Sequence, residues 1–149
     1  MDWQRGHLIM SHEKHLIEIP GTPVAQPRHR VSARGGFARV YLPKRHPVHE
    51  YKRRIAEATK HWPVFVGPVA VHIVAVFPMP KSWSKTKKAE ALAVEYHAQK
   101  PDPDNIGKAI LDALSEHWHD DCQVADLRVK KLWTNETEGF TLLEMWELT

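Results

Sequence analysis

Residues 100–124, KPDPDNIGKAILDALSEHWHDDCQV, place Asp102, Asp104, Asp112, Asp120 and Asp121 close together in a chain whose net charge is +3. Adjacent carboxylates repel unless a cation or a shared proton compensates. Hard oxygen ligands of this kind suit Mg2+ or Mn2+. Three carboxylates and a lysine make the set that a metal-dependent phosphodiesterase needs. The carboxylates hold one or two divalent ions, and the lysine adds positive charge where negative charge develops. Asp102, Asp104 and either Asp120 or Asp121 are the candidate carboxylates, and Lys108 is the candidate lysine.

The segments around these residues must position them. Pro101 and Pro103 fix their own φ and push the residue before each out of the helical region. This predicts a stiff, extended 100–104 segment with Asp102 and Asp104 on the same side. A helix is expected just after Asp104, with Ile106, Ala109, Ile110, Ala113 and Leu114 as its apolar face. Lys108 then lies one turn in and reaches back toward the two carboxylates. The amides of the first turn also favour an anion at that end. If the chain folds back, Asp120 or Asp121 completes the set. The same residues have plainer uses. Asp104 would serve as a helix N-cap, Asp102 as loop polarity, and Asp112 as an i,i+4 partner of Lys108. His117, His119 and the aspartates of HWHDD are an alternative transition-metal cluster, ranked below a Mg2+ site because the spacing is irregular for a helix.

The rest of the chain supplies the scaffold. Its 149 residues suit one domain with a real core. HLIEI (15–19) and FARVYLP (37–43) read as strands and resemble a hairpin whose loop or arms carry Arg28, Arg30 and Arg34. VHEYKRRIAEATKHW (48–62) is helical, with Tyr51, Ile55, Ala58 and Trp62 on one stripe. Val69 to Phe77 is apolar except for His72 and reads as a central strand buried on both faces, with His72 a satisfied sheet histidine. Ser84 is an N-cap candidate for a further helix within 81–99. VADLRVKKLWT (124–134) and GFTLLEMWEL (139–148) read as strands joined by NETEG in a hairpin. The class is therefore α+β (mixed α/β), in the order β-β-α-β-α-α-β-β, with a mostly antiparallel sheet.

Charge is uneven along the chain. Residues 28–60 hold ten Lys/Arg against two Glu, whereas residues 101–149 hold four Lys/Arg against eleven Asp/Glu. Such a run is usually a solvated face, but a basic tract beside an acidic pocket also fits a phosphate-binding surface around a metal site. Lys81, Lys85, Lys87 and Lys88 surround Trp83. No apolar run is long enough to span a bilayer, and the first twenty residues hold no secretory h-region. The single cysteine, Cys122, rules out an internal disulfide and suits a reducing cytoplasm. Met10 is a possible second start, and residues 1–14 read as a disordered extension ahead of a 15–149 domain.

KPDPDNIGKAILDAL followed by DDCQV resembles the signature of the RusA-family Holliday junction resolvases, often carried by phages and prophages. That pattern is an Asp-x-Asp-Asn opening a helix, a lysine four residues after the second aspartate, and an Asp-Asp-x-Gln-Val turn. Asp102, Asp104, Asn105, Lys108, Asp121 and Gln123 occupy it. PGTPVAQPRHR and VFPMPKSWSK are similar to further family segments, so the resemblance spans roughly residues 15–148. It implies a small homodimeric, Mg2+-dependent endonuclease, with Mn2+ as a substitute, that cuts four-way DNA junctions by paired symmetric nicks in recombination and repair. Asp102, Asp104 and Asp121 would be metal-binding catalytic carboxylates, Lys108 the essential lysine and Asp120 a supporting ligand. Arg28, Arg30, Arg34, Lys81, Lys85, Lys87 and Lys88 would bind DNA phosphates, and Trp83, Phe37 or Tyr41 could stack on unpaired bases. Two other functions use the same residues: cutting of flaps or forks, and a catalytically silent junction-binding accessory.

Overall fold

The computed structural model describes residues 13–27, 30–32, 36, 39–41 and 44–149. In chain order the elements are strands β1 (His15–Pro20), β2 (Arg30–Ser32) and β3 (Arg39–Tyr41), helix α1 (Pro47–Thr59), strand β4 (Val69–Pro78), helices α2 (Lys85–Val94) and α3 (Pro103–Ala113), and strands β5 (Val124–Thr134) and β6 (Phe140–Glu147). The α+β class and the expected succession of strands and helices hold, with the short β2 added before β3.

One four-stranded sheet has the order β1-β6-β4-β5. β6 runs antiparallel to both β1 and β4, while β5 runs parallel to β4. A parallel neighbour needs a long crossover, and the segment carrying α2 and α3 provides it. Helices α1 and α3 cover one face. Tyr51 and Ile55 of α1 and Ile106, Ile110 and Leu114 around α3 pack on Ile19, Val71, Ile73, Phe77, Leu143 and Met145. Each fully buried aliphatic side chain contributes roughly 1.5–3 kcal/mol, so α3 is anchored firmly along its apolar stripe.

Three expectations are corrected. β1 does not form a hairpin with the 37–43 strand: it pairs with β6, and β3 pairs with β2 in a separate two-stranded ribbon. β5 and β6 are not hairpin partners, because β4 lies between them. NETEG instead steps over the end of β4, where a Cβ on Gly139 would collide with the Val76 carbonyl oxygen. β4 is central but not buried throughout on both faces. Val69, Val71, Ile73, Ala75 and Phe77 are buried toward the helices, whereas His72 and Val74 on the other face are half-exposed. NETEG does connect β5 to β6, but its local turn signal could not register that β4 takes a hydrogen-bonded neighbour on each edge. His72 itself behaves as a sheet histidine, edge-on to Trp146 at 4.6 Å and 3.2 Å from the Asp126 carboxylate.

Candidate active site at the two ends of helix α3

Helix α3 begins two residues earlier than its apolar spacing suggests. Pro103 occupies the first helical position, where its missing N–H costs nothing and its fixed φ suits the helix. Asp102 is therefore the N-cap, in extended conformation, and Asp104 lies within the first turn. This corrects the picture of two carboxylates on one extended strand and the assignment of Asp104 as the cap. An N-cap aspartate normally accepts a backbone N–H of the first turn, which is worth about 0.5–2 kcal/mol. Asp102 makes no such bond, and its exposed carboxylate remains available. Asp104 and Lys108 are also exposed, four residues apart on the helix surface. Neither forms an ion pair among the described residues. Asp112 does not pair with Lys108. Its partner is Lys52 of α1, at 3.2 Å.

The loop that presents Asp102 is tied down by a lysine on β5. Lys131 Nζ donates to the carbonyls of Gln99 at 2.6 Å and Pro101 at 2.7 Å. Burial pulls this ammonium below the ordinary lysine range, and the charge of Asp102 opposes that fall. On the other side of the loop, Gln26 N donates to the Asn105 carbonyl at 2.9 Å. A cleft of about 520 Å3 opens there, bordered by Gln26, His46, Lys100, Asp102 and Asn105. His46 is the N-cap of α1, and its Nδ1 accepts the Val48 N–H at 3.0 Å. The starts of α1 and α3 thus share one cleft.

Asp120 and Asp121 stand at the other end of α3, in the turn that leads into β5. Asp120 Oδ1 accepts the Cys122 N–H at 3.0 Å, which holds its carboxyl below the usual range. Asp121 Oδ1 accepts from Trp118 Nε1 at 2.9 Å. Gln123 clamps the turn. Its Oε1 accepts the His119 and Asp120 amides, and its Nε2 donates to the Phe65 and Gly67 carbonyls. His117 is buried, with one ring nitrogen 3.1 Å from the Pro63 carbonyl and the other 3.2 Å from Thr59 Oγ1. Both nitrogens are engaged, which argues against its use as a metal ligand.

The eleven residues of α3 span about 16 Å at 1.5 Å per residue, and this length keeps the two acidic groups of one chain apart. Accordingly, no group of three or more His, Cys, Asp or Glu side chains among the described residues is arranged to hold a metal ion. The α3 start nevertheless has donor chemistry that suits a hard cation. Asp102 and Asp104 bring exposed carboxylate oxygens that make no ion pair among the described residues.

A family model described as endodeoxyribonuclease RusA matches residues 20–141. The chain belongs to the RusA endodeoxyribonuclease family. The matched span takes in both ends of α3 and the whole Asp-x-Asp-Asn to Asp-Asp-x-Gln-Val pattern. The chain is also 37% identical over 125 residues to the uncharacterized protein YqaN of Bacillus subtilis (strain 168), which covers 79% of this chain and 87% of that one.

Among the basic residues expected to contact DNA, Arg28 and Arg34 lie outside the described residues, as does Phe37. Arg30 and Tyr41 are described only as backbone of β2 and β3. Lys81, Lys85 and Lys87 are exposed and Lys88 is half-buried, all at or near the start of α2, which Ser84 caps through the Lys87 N–H. Trp83 already packs edge-on against Trp133, with ring centres 5.0 Å apart, and Lys87 Nζ lies 4.4 Å from the Trp83 ring centre. Several cations in α1 and at its C-cap are engaged internally: Arg53 pairs with Glu50, Lys60 with Glu57, and Arg54 donates to the Pro20 carbonyl. The positive charge of 28–60 is thus partly neutralised within the fold. No helix among the described residues is long and apolar enough to cross a membrane.

Sequence reasoning missed Lys131, Gln26 and His46. Lys131 did leave a signal. Along β5 it shares the phase of Val129 and Trp133, which pack against the core, so it is a charge on the inward side of a strand. Gln26 and His46 gave none, because only the fold brings them beside Asp102.

Proposed function

We propose that this protein is a Mg2+-dependent endonuclease that cuts four-way DNA junctions by paired symmetric nicks as a homodimer in the cytoplasm. Membership of the RusA family gives the endonuclease class. The observation that carries the metal-dependent reading is the free Asp102 carboxylate at a helix start, beside Asp104 and one turn from Lys108. Asp102 and Asp104 would hold the ion, with Mn2+ able to replace Mg2+. When bound, such an ion supplies Lewis-acid stabilisation of phosphoryl oxygens and lowers the pKa of water. Lys108 would place its ammonium against the negative charge that develops on phosphate. Lys131 would act through the loop, keeping Asp102 in place.

Asp121, with Asp120 in support, would be the third carboxylate. Because α3 separates it from Asp102 within a chain, a complete site would combine Asp102 and Asp104 of one protomer with Asp121 of its partner. A two-fold dimer makes two such sites, which is what paired nicks on symmetry-related strands require. Arg28, Arg30, Arg34, Lys81, Lys85, Lys87 and Lys88 would hold phosphates, so affinity should fall steeply with salt.

The test is cleavage of a synthetic four-way junction in Mg2+, with flaps and forks as competitors and Asp102→Asn as control. Paired cuts that prefer the junction and vanish in the variant are expected. Preferential cutting of flaps or forks would replace the junction reading with that of a nuclease for other branched DNA. Junction binding with no cutting in either Mg2+ or Mn2+ would leave a silent binding module.

A further inference from the structure

Strand β5 stands at the end of the main sheet, so one of its edges faces no strand of that sheet. The chain just after α2 covers part of this edge. Trp133 N donates to the Glu95 carbonyl at 2.8 Å, and His97 N donates to the Lys131 carbonyl at 3.0 Å. Backbone groups along a strand turn to alternate edges, so Leu127 and Val129 point theirs outward as Lys131 and Trp133 do. Ala125 continues this phase at the point where the pairing with β4 becomes irregular. These three residues have no backbone partner on the outer edge among the described residues.

An open edge is a template for another strand, and the side chains of this one are self-complementary. Asp126 and Arg128 flank Leu127 on the face away from the helices, with the Asp126 carboxylate 3.2 Å from Arg128 Nε. Leu127 itself is 44% exposed. A second copy of β5 laid antiparallel along the edge sets Leu127 opposite the partner's Leu127 on the two-fold axis. Ala125 then faces the partner's Val129, and Asp126 faces the partner's Arg128, each twice over by symmetry. Opposite charges directly across two strands stabilise the pairing and like charges oppose it. The neighbouring register, centred on Arg128, would set two arginines face to face and is disfavoured on that ground.

The same register acts on α3. This helix runs antiparallel to β5: the loop before it is tied to Lys131 near one end of the strand, and Gln123 clamps the turn after it at the other. It lies close over the edge, because a Cβ on Gly107 would stand 3.3 Å from Val129 and 3.6 Å from Leu127. Two-fold pairing of β5 therefore places two antiparallel α3 helices on one face of a joined sheet. The position opposite Gln123 is the partner's Lys131, whose ammonium holds the loop before the partner's Asp102. β5 ends at Val124, where the partner's covering stretch begins, and the turn that carries Asp121 abuts that loop.

We infer that the free edge of β5 is the seam of the homodimer. Two copies pair antiparallel about Leu127, and the pairing brings Asp121 of one chain beside Asp102 of the partner subunit. The inference rests on the proposed homodimer, and the test separates the two claims.

The full-length protein is examined by sedimentation velocity, alone and on a four-way junction. Wild type should sediment at twice the 17.2 kDa chain mass. Leu127→Pro removes an outward N–H, a change that an edge strand tolerates. It should stay folded by thermal unfolding, become monomeric and lose junction cleavage. Asp126→Arg sets like charges across the seam and should weaken dimerisation roughly tenfold or more. Adding Arg128→Asp to it restores opposite charges and should recover the dimer. This exchange decides the matter should Leu127→Pro not fold. Single cysteines placed on a Cys122→Ser background test the register, since residues facing each other across a hydrogen-bonded pair lie about 5.5 Å apart at Cα, within disulfide reach. Leu127→Cys should crosslink to a dimer under diamide, and Arg128→Cys should not. Crosslinking by Arg128→Cys instead would overturn the register. A wild-type dimer with no crosslink at Leu127→Cys, and with the charge variants associating as wild type does, would place the seam elsewhere and sink the inference while the homodimer stands. Wild type that is monomeric both alone and on a junction it cuts would overturn the homodimer, and this inference with it.

Discussion

The two ends of helix α3 carry the same chemistry in opposite conditions. At the start, Asp102, Asp104 and Lys108 are exposed and make no ion pair among the described residues, and Asp102 forgoes the cap bond its position offers. At the far end, Asp120 and Asp121 are held by hydrogen bonds from Cys122 and Trp118, within a turn that Gln123 clamps at four points. A carboxylate kept free against its local preference is one the fold leaves for something else. A carboxylate already bonded has its orientation fixed in advance. The contrast suits a site in which the start of α3 adapts to cation and substrate while the far end offers a rigid third ligand to a neighbouring chain.

The largest effect expected from breaking this contrast is at the free end. Asp102→Asn or Asp104→Asn should lower junction cleavage at least roughly a thousandfold, about 4 kcal/mol of transition-state stabilisation. Junction affinity should hold or improve, because a charge that repels phosphate is gone. Gel-shift and cleavage measured on the same preparations separate the two outcomes. The roles of the two ends can also be tested against each other. Dimers mixed from Asp102→Asn and Asp121→Asn chains should recover one working site in two and nick single strands, whereas each variant alone is dead. Sites completed within one chain would leave the mixed dimers inactive.

A smaller effect is expected from loosening the loop rather than removing a ligand. Lys131→Met strips the ties to Gln99 and Pro101, and hydrogen bonds to a charged group are worth about 1.5–3 kcal/mol. Stability by denaturant unfolding should fall by about 2 kcal/mol. Cleavage should drop about tenfold, with DNA affinity little changed.

How much of this was legible in the sequence follows from the range of each signal. The apolar spacing of Ile106, Ala109, Ile110 and Leu114 and the Ser84 cap are local, and both appear in the fold. The aspartates and Lys108 were found by type and spacing. Their separation across the helix was not, because spacing along a chain does not say which turns of a helix face one ligand. The start of α3 was misjudged by two residues because Pro103 was read as a breaker rather than as a first helical residue. The sheet order escaped because the turn in NETEG is a local feature and the need of β4 for two neighbours is not. Lys131 was visible only as a phase error in β5, and Gln26 and His46 owe their place entirely to packing.

Two further predictions concern the surroundings of the site. His97 lies between Phe77 and Trp133, with ring centres 4.4 and 4.0 Å away, and its Nδ1 accepts the Gln99 N–H at 3.4 Å. Burial, and then the charge of Lys131, hold its pKa below the ordinary 6.5. The folded protein therefore binds fewer protons than the unfolded chain, and stability should fall as pH drops through and below that ordinary value. His97→Phe should flatten this acid limb in unfolding curves taken at successive pH values. The smallest effect is expected at Asp112, whose bond to Lys52 is a half-exposed ion pair. Asp112→Asn should cost about 0.2–1 kcal/mol and leave cleavage unchanged, setting it apart from Asp102 and Asp104 in the same assay.

The central claim is that the free end of α3 holds the ion. Anomalous diffraction from Mn2+-soaked crystals of the full-length protein tests it most directly. The account predicts a peak in direct contact with oxygens of Asp102 and Asp104, with Asp121 of the partner subunit beside it. A peak confined to Asp120 and Asp121, or no peak at α3 in protein that cuts junctions in Mn2+, would contradict it.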